Sequence, residues 1–131
     1  MKSIFLIDTD TASDDAVALI MALRSSQVQV VAITTVAGNV SVQQATRNAL
    51  YTAELCGSSV PVFPGAEKPL VRARVGAEWF HGQDGLGDHG YPAPRRAPEK
   101  QSAAEVIVGT IESHPGGGTT IVAAVPAEAA V

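Results

Sequence analysis

Residues 3–9, Ser-Ile-Phe-Leu-Ile-Asp-Thr, form a short apolar run that stops on acids. Ser13-Asp14-Asp15 and the apolar segment Ala16–Leu23 follow directly, closed by Arg24. The first run is too short for a helix and reads as a buried strand. The second has a capping serine, first-turn acids and a terminal base, the polarity a helix prefers. It is apolar nearly all round, so burial on most sides is expected. The alternation then repeats. Val28–Ala37 is rich in β-branched residues and ends at Gly38-Asn39, a second strand. Ser41 with Gln44 predicts a capping box for a helix to about Cys56, with Gly57 as its C-terminal cap. Val60–Gly65 reads as a third, short strand. Ser102 with Glu105 opens another helix to about His114, Pro115–Gly118 breaks it, and Thr119–Val125 is a fourth strand.

Strands separated by helices imply a parallel sheet with right-handed crossovers. The expected fold is therefore α/β, a Rossmann-like three-layer core with strand order 3-2-1-4. In such a sheet ligands bind where the winding direction reverses, beyond the carboxyl ends of the strands. That reversal falls at the first strand, which ends in Asp8-Thr9-Asp10. Residues 66–100 are rich in proline and glycine and carry no strong helix or strand signal. A segment of this length without regular structure points to a functional loop.

Composition removes several classes. Nine Lys and Arg stand against thirteen Asp and Glu, a net charge of −4, which argues against a nucleic-acid surface. The apolar run Ile4–Ile7 meets an acid at once, too early for a signal-peptide core or a membrane span. The single cysteine, Cys56, cannot form an internal disulfide and suits a reducing compartment. A cytoplasmic protein with no nucleic-acid or membrane partner is the expectation.

Asp8, Asp10, Asp14 and Asp15 place four carboxylates at one strand end and the following helix start. First-turn acids alone would explain Asp14 and Asp15. Asp8 and Asp10 are harder to explain that way, because Asp is depleted in strands and a spacing of two puts both on one face. Gathered like charges raise pKa values or need a counter-charge, and no Lys or Arg lies between Lys2 and Arg24. A metal ion is the natural partner. All local ligands are hard oxygens, which favours Ca²⁺ or Mg²⁺ over zinc. A carbonyl near Ala123 and Ala124, at the end of the fourth strand, would lie beside the first.

At these residues the sequence resembles the inosine-uridine-preferring nucleoside hydrolase family. The signature stands here as Asp8-Thr9-Asp10-Thr11-Ala12-Ser13-Asp14-Asp15-Ala16. Ala32–Asn39 resembles the family's second strand with its terminal Gly-Asn, and His81-Gly82-Gln83-Asp84-Gly85-Leu86-Gly87 resembles its glycine-rich loop. Lys68-Pro69-Leu70 falls where the family has a similar triplet. The likeness covers residues 4 to about 123. Thr11-Ala12 replaces the common Pro-Gly, a mild change that keeps a small residue. Val125–Val131 departs from the family's Gly-Pro-Leu-Thr-Asn turn. Family members are more than twice this length, so the expectation is that residues 1–131 form the truncated, amino-terminal half of a hydrolase domain.

The resemblance implies hydrolysis of the N-glycosidic bond of a ribonucleoside to ribose and free base, an activity of purine and pyrimidine salvage. It implies Ca²⁺ held by Asp10, Asp15 and the carbonyl of about Ala124. Asp10 would also be general base, Asp14 would hold a ribose hydroxyl, Asn39 would orient water or sugar, and Asp8 would support the ligands from behind. His81 would act on the substrate side, as a histidine suited to proton transfer on a mobile loop. A homo-oligomer is also implied. His89 and His114 read as surface residues, Trp79 and Phe80 as local packing, and Arg72, Arg74, Arg95 and Arg96 as solvating the loop.

Three other readings compete. Asp8–Ala12 approximates the first motif of haloacid-dehalogenase-like phosphohydrolases, but Ala12 stands where Thr or Val is needed. A response-regulator receiver would require an Asp after the third strand, where Phe63-Pro64-Gly65 stands. The third is a non-catalytic fragment binding calcium or ribose. With one wall of a cleft, water is not excluded, so little hydrolase activity is expected of the isolated chain.

Overall fold

The computed structural model describes residues 1–125. The elements run β1 (Ser3–Thr9), α1 (Ser13–Arg24), β2 (Val28–Thr35), α2 (Val42–Leu55), β3 (Val62–Pro64), α3 (Glu78–His81), α4 (Ala103–Ser113) and β4 (Thr119–Ala124). The strands form one sheet in the order β3-β2-β1-β4, and every adjacent pair is parallel. Expected order and direction are thus found. The segment of the sequence after Val125 lies outside the described residues.

The sheet is buried on both faces because neighbouring residues on its central strands are both apolar. Ile7 and Ile33 face α1 and α2, packing with Leu19, Ala49, Leu50 and Val62. Leu6 and Ala32 face the other way, onto Val106 of α4. Two helices on one side and one on the other give the three layers. Ile33 is 0% exposed at the centre of the larger cluster. Ile33→Ala should cost about 2–5 kcal/mol, read as a lowered midpoint in urea unfolding with an unchanged slope.

Local capping rules account for most boundaries. The Ser41 side chain accepts from the Gln44 N–H at 3.2 Å. Gln44's own side chain turns instead to Asn48, so the expected box is only half made. Gly57, with φ +66°, lets the Gly57 and Ser58 N–H groups return to the carbonyls of Glu54 and Ala53 at the end of α2. Ser102 and Glu105 form the full box on α4.

Two expectations change here. α1 buries only Asp15 and Leu19, and Val17 and Met21 stay more than half exposed. It packs against the sheet and α2 on one side, and nothing among the described residues covers the other. Its N-cap is Ala12, with Ser13 the first helical residue. That shift frees the serine hydroxyl for another use.

The long 66–100 segment contains α3 and is tied down by its charges. Arg74 donates to the Gly38 carbonyl at 3.1 Å and pairs with Glu78 at 2.9 Å. Arg96 donates to the carbonyls of Ser59 and Val60, and Glu54 accepts from the Arg95 and Arg96 amides. These arginines therefore fasten the loop, and Arg74 and Arg96 do so through their guanidinium groups. His114 also departs from expectation: half-buried, its Nδ1 lies 2.9 Å from the Thr110 carbonyl oxygen at the end of α4. Phe80 meets Trp79 on one side and His81 on the other, both edge-to-face, leaving Trp79 84% exposed. Among the described residues β4 is an edge of the sheet, with Ile121 exposed.

Candidate active site

Asp10 follows the last residue of β1, where the chain leaves the sheet for α1, and its side chain is fully buried. Oδ2 accepts a 2.6 Å hydrogen bond from the Asn39 N–H. Gly38 makes that approach possible: a Cβ there would overlap Asp10 Oδ2 and lie 2.8 Å from Asp10 Cβ. The Gly38-Asn39 pair is thus a backbone cradle for one carboxylate. Asn39 enters through its amide, and its carbonyl accepts from Ala77 at 2.8 Å.

The other oxygen of Asp10, Oδ1, is buried and has no hydrogen-bond partner among the described residues. Asp15 lies one turn into α1, 8% exposed, with the Ala12 N–H donating to it at 3.5 Å. Its carboxyl is pushed up to about 8. Burial contributes most, followed by the close approach of the Asp10 carboxylate and repulsion from Asp10 and Asp14. Two carboxylates thus share a buried space, and among the described residues neither forms a salt bridge to a Lys or Arg. Like charges placed this close raise one another's pKa unless a counter-charge joins them.

The other two acids stand apart from this pair. Asp8 lies opposite Thr34 in the parallel ladder and accepts from its hydroxyl at 2.7 Å. Burial raises its pKa, the Thr34 bond opposes the rise, and Asp10 adds to it. Asp14 is exposed at the start of α1. Among the described residues no three Asp, Glu, His or Cys side chains gather closely enough to hold a metal. The four-carboxylate cluster is therefore a tight pair with two acids in electrostatic reach. Ala124 pairs with Thr9 across the β1–β4 ladder, next to Asp10 in sequence.

The His81–Gly87 loop closes over this end of the sheet. Asn48, buried on α2, donates to the Thr11 carbonyl at 3.0 Å and the Asp84 carbonyl at 2.7 Å. Gly85 (φ +76°) lies against that amide, where a Cβ would meet Val40 at 2.9 Å. The acids of the loop serve as acceptors for its own backbone: Asp84 Oδ1 takes the N–H groups of Leu86 and Asp88. His81 is brought to the start of α1, where its Nδ1 lies 2.8 Å from Ser13 Oγ. Sequence reasoning missed Asn48, since a lone polar residue on an amphipathic helix gives no sign of what it faces.

A family profile described as inosine-uridine preferring nucleoside hydrolase matches residues 5–127. The chain belongs to this nucleoside hydrolase family. Uridine nucleosidase 1 of Arabidopsis thaliana is 44% identical over 114 residues, 85% of this chain and 34% of that protein. The inosine-uridine preferring nucleoside hydrolase of Crithidia fasciculata is 35% identical over 133 residues, 94% of this chain and 42% of that protein. A solved plant nucleoside hydrolase superposes with a TM-score of 0.87 at 36% identity, over 94% of this chain and 39% of that one. The chain thus spans 34–42% of the length of these nucleoside hydrolase relatives.

Membership disposes of the phosphohydrolase and receiver readings, and the geometry agrees. Asp8 is engaged with Thr34 rather than paired with Asp10, and β3 ends at Pro64 without an acid. No helix among the described residues is long and apolar enough to cross a membrane.

Proposed function

We propose that this nucleoside hydrolase chain carries the acidic, sugar-facing side of a site that splits the N-glycosidic bond of a ribonucleoside, giving ribose and a free base. The observation that carries this reading is the buried Asp10–Asp15 pair, with one orphaned oxygen and one carboxyl raised to about 8. Such a pair fits a hard divalent cation. Asp10, Asp15 and the backbone carbonyl of Ala124 would hold Ca²⁺, an all-oxygen set completed by water. When bound, the ion neutralises the pair and lowers the pKa of a neighbouring water.

The chain's own residues supply the rest. Asp10, held rigid by the Asn39 amide, accepts the proton of the attacking water. Asp14, exposed beside the pair, accepts from a ribose hydroxyl. The negative charge of the acids favours the positive charge that develops on the sugar. Asp8, bonded to Thr34, backs this end of β1. Asn39 borders a cleft of about 440 Å³ walled by Pro69, Val75 and Trp79, which gives a substrate room. His81 stands on the substrate side of the loop. A cytoplasmic setting and self-association are part of the same proposal, the former supported by the free Cys56.

Calcium and pH together provide the test. A carboxyl with a raised folded pKa stabilises the fold below its unfolded value near 3.8 and loses that contribution as pH rises toward about 8. In EDTA, stability should fall across this window by at most about 1.4 kcal/mol per pH unit from Asp15, with Asp8 acting in the same direction. Added Ca²⁺ should restore it, so the gain in Tm grows from pH 5 to pH 8. Ribose release from inosine, uridine and cytidine is measured in parallel and is expected to be slow and calcium-dependent. A calcium response without ribose release would support the non-catalytic reading. No calcium response at pH 8 would remove the metal from the proposal.

A further inference from the structure

The Ser13–His81 contact has no place in the proposed chemistry, and it is what joins the loop to the helix bearing the acids. Ser13 is the first residue of α1 and is exposed. Because Ala12 takes the cap position, the Ser13 hydroxyl has no helix amide to satisfy. It lies 2.8 Å from His81 Nδ1, across 68 residues of sequence. His81 is the last residue of α3; its carbonyl accepts from Gly87 at 2.8 Å, and the Phe80 ring meets its imidazole edge-to-face at 4.9 Å. Nε2 makes no hydrogen bond among the described residues.

We infer that Ser13 is a positioning residue, which orients the His81 imidazole so that Nε2 is presented to the substrate in fixed relation to Asp14. The inference rests on the hydrolase reading of the site. A hydroxyl suits the task because it both donates and accepts. It donates to an unprotonated Nδ1, leaving the proton on Nε2, and accepts from Nδ1–H when the ring is charged or in the other tautomer. The ring is held in either state, so its position survives a proton transfer. Asp14 follows Ser13 directly, so the group that holds the histidine and the one assigned to the sugar move as one piece of α1. An unanchored imidazole would rotate about its side-chain bonds, and small misplacements of reacting groups cost much rate.

The test uses Ser13→Ala and Ser13→Thr in the full chain with ¹⁵N-labelled histidine. Wild type and Ser13→Thr should share one His81 Nδ1 resonance position, that of a hydrogen-bonded ring nitrogen, in long-range ¹H–¹⁵N spectra, and Ser13→Ala should displace it. With inosine or uridine, Ser13→Ala should lower kcat about 10-fold with KM little changed. Ser13→Thr should restore it, and adding Ser13→Ala to His81→Ala should cost nothing further. Unchanged ring resonances in Ser13→Ala, or losses that multiply in the double variant, would overturn the inference. Absence of ribose release in every variant, with the Nδ1 displacement present, would reject the hydrolase reading while upholding the anchoring of the ring.

Discussion

Asp10→Asn should abolish the calcium-dependent rise in Tm while making the metal-free protein more stable near pH 8. The two effects have one cause. In the wild type, Asp10 Oδ1 is buried without a donor and Asp15 is raised to about 8. An asparagine keeps an oxygen for the Asn39 amide and turns an N–H donor toward Asp15. One like charge is removed and the orphaned position is filled, so Asp15 ionises more readily and the proton is no longer required. Filling a buried acceptor's need for a donor is worth about 1–3 kcal/mol in the metal-free state. The same change deletes a negative ligand that Ca²⁺ requires, and any calcium-dependent ribose release should go with it. Calorimetry in EDTA and in calcium, at pH 6 and pH 8, reads both arms. A variant with a wild-type calcium response would show that the ion binds elsewhere. On the proposed reading, the wild-type pair is an arrangement that trades stability for chemistry.

Asn48→Ala should be nearly as damaging to the site without touching an acid. The Asn48 amide joins the Thr11 carbonyl, at the hinge between β1 and α1, to the Asp84 carbonyl in the His81–Gly87 loop. Its own oxygen is engaged by Gln44 at 2.9 Å. Truncation strands the buried Thr11 carbonyl and the half-buried Asp84 carbonyl, a cost of about 2–4 kcal/mol. The loss should concentrate in the loop, so hydrogen exchange at Gly85 and Leu86 should speed up far more than in the core around Ile33. Asn48→Asp should be no better, because it faces two carbonyls with two acceptors. An Ala variant within about 0.5 kcal/mol of wild type would mean that this amide does not hold the loop.

Much of this molecule was legible in advance because its signals are local. Apolar runs of strand length, caps such as Ser102 with Glu105, and Gly57 in the left-handed region are decided within a few residues of chain. Strand order follows from alternation and crossover handedness, which is why β3-β2-β1-β4 could be expected. The site was legible as a place and as a set of residue types: acids at the end of β1, a Gly-Asn after β2 and a histidine in a glycine-rich loop. Their division of labour was not. Four aspartates within eight residues look equivalent in sequence, yet one is bonded to Thr34, one is exposed, and only Asp10 and Asp15 share a buried space.

The sequence by itself determined the layers, the direction of the strands and the end of the sheet at which the acids gather. Periodicity and capping act over one or two turns and need no knowledge of the rest. Tertiary structure alone decided which side chains meet. Asn48 reaches Asp84 over 36 residues, and Ser13 reaches His81 over 68. Gly38 matters because Asp10, 28 residues earlier, occupies the space its Cβ would take. Such contacts depend on how far each element slides and rotates in the packed core, a quantity no local pattern encodes. The shift of a single residue at the start of α1 illustrates it: Ala12 caps the helix, and the serine that reads as its cap faces a histidine instead.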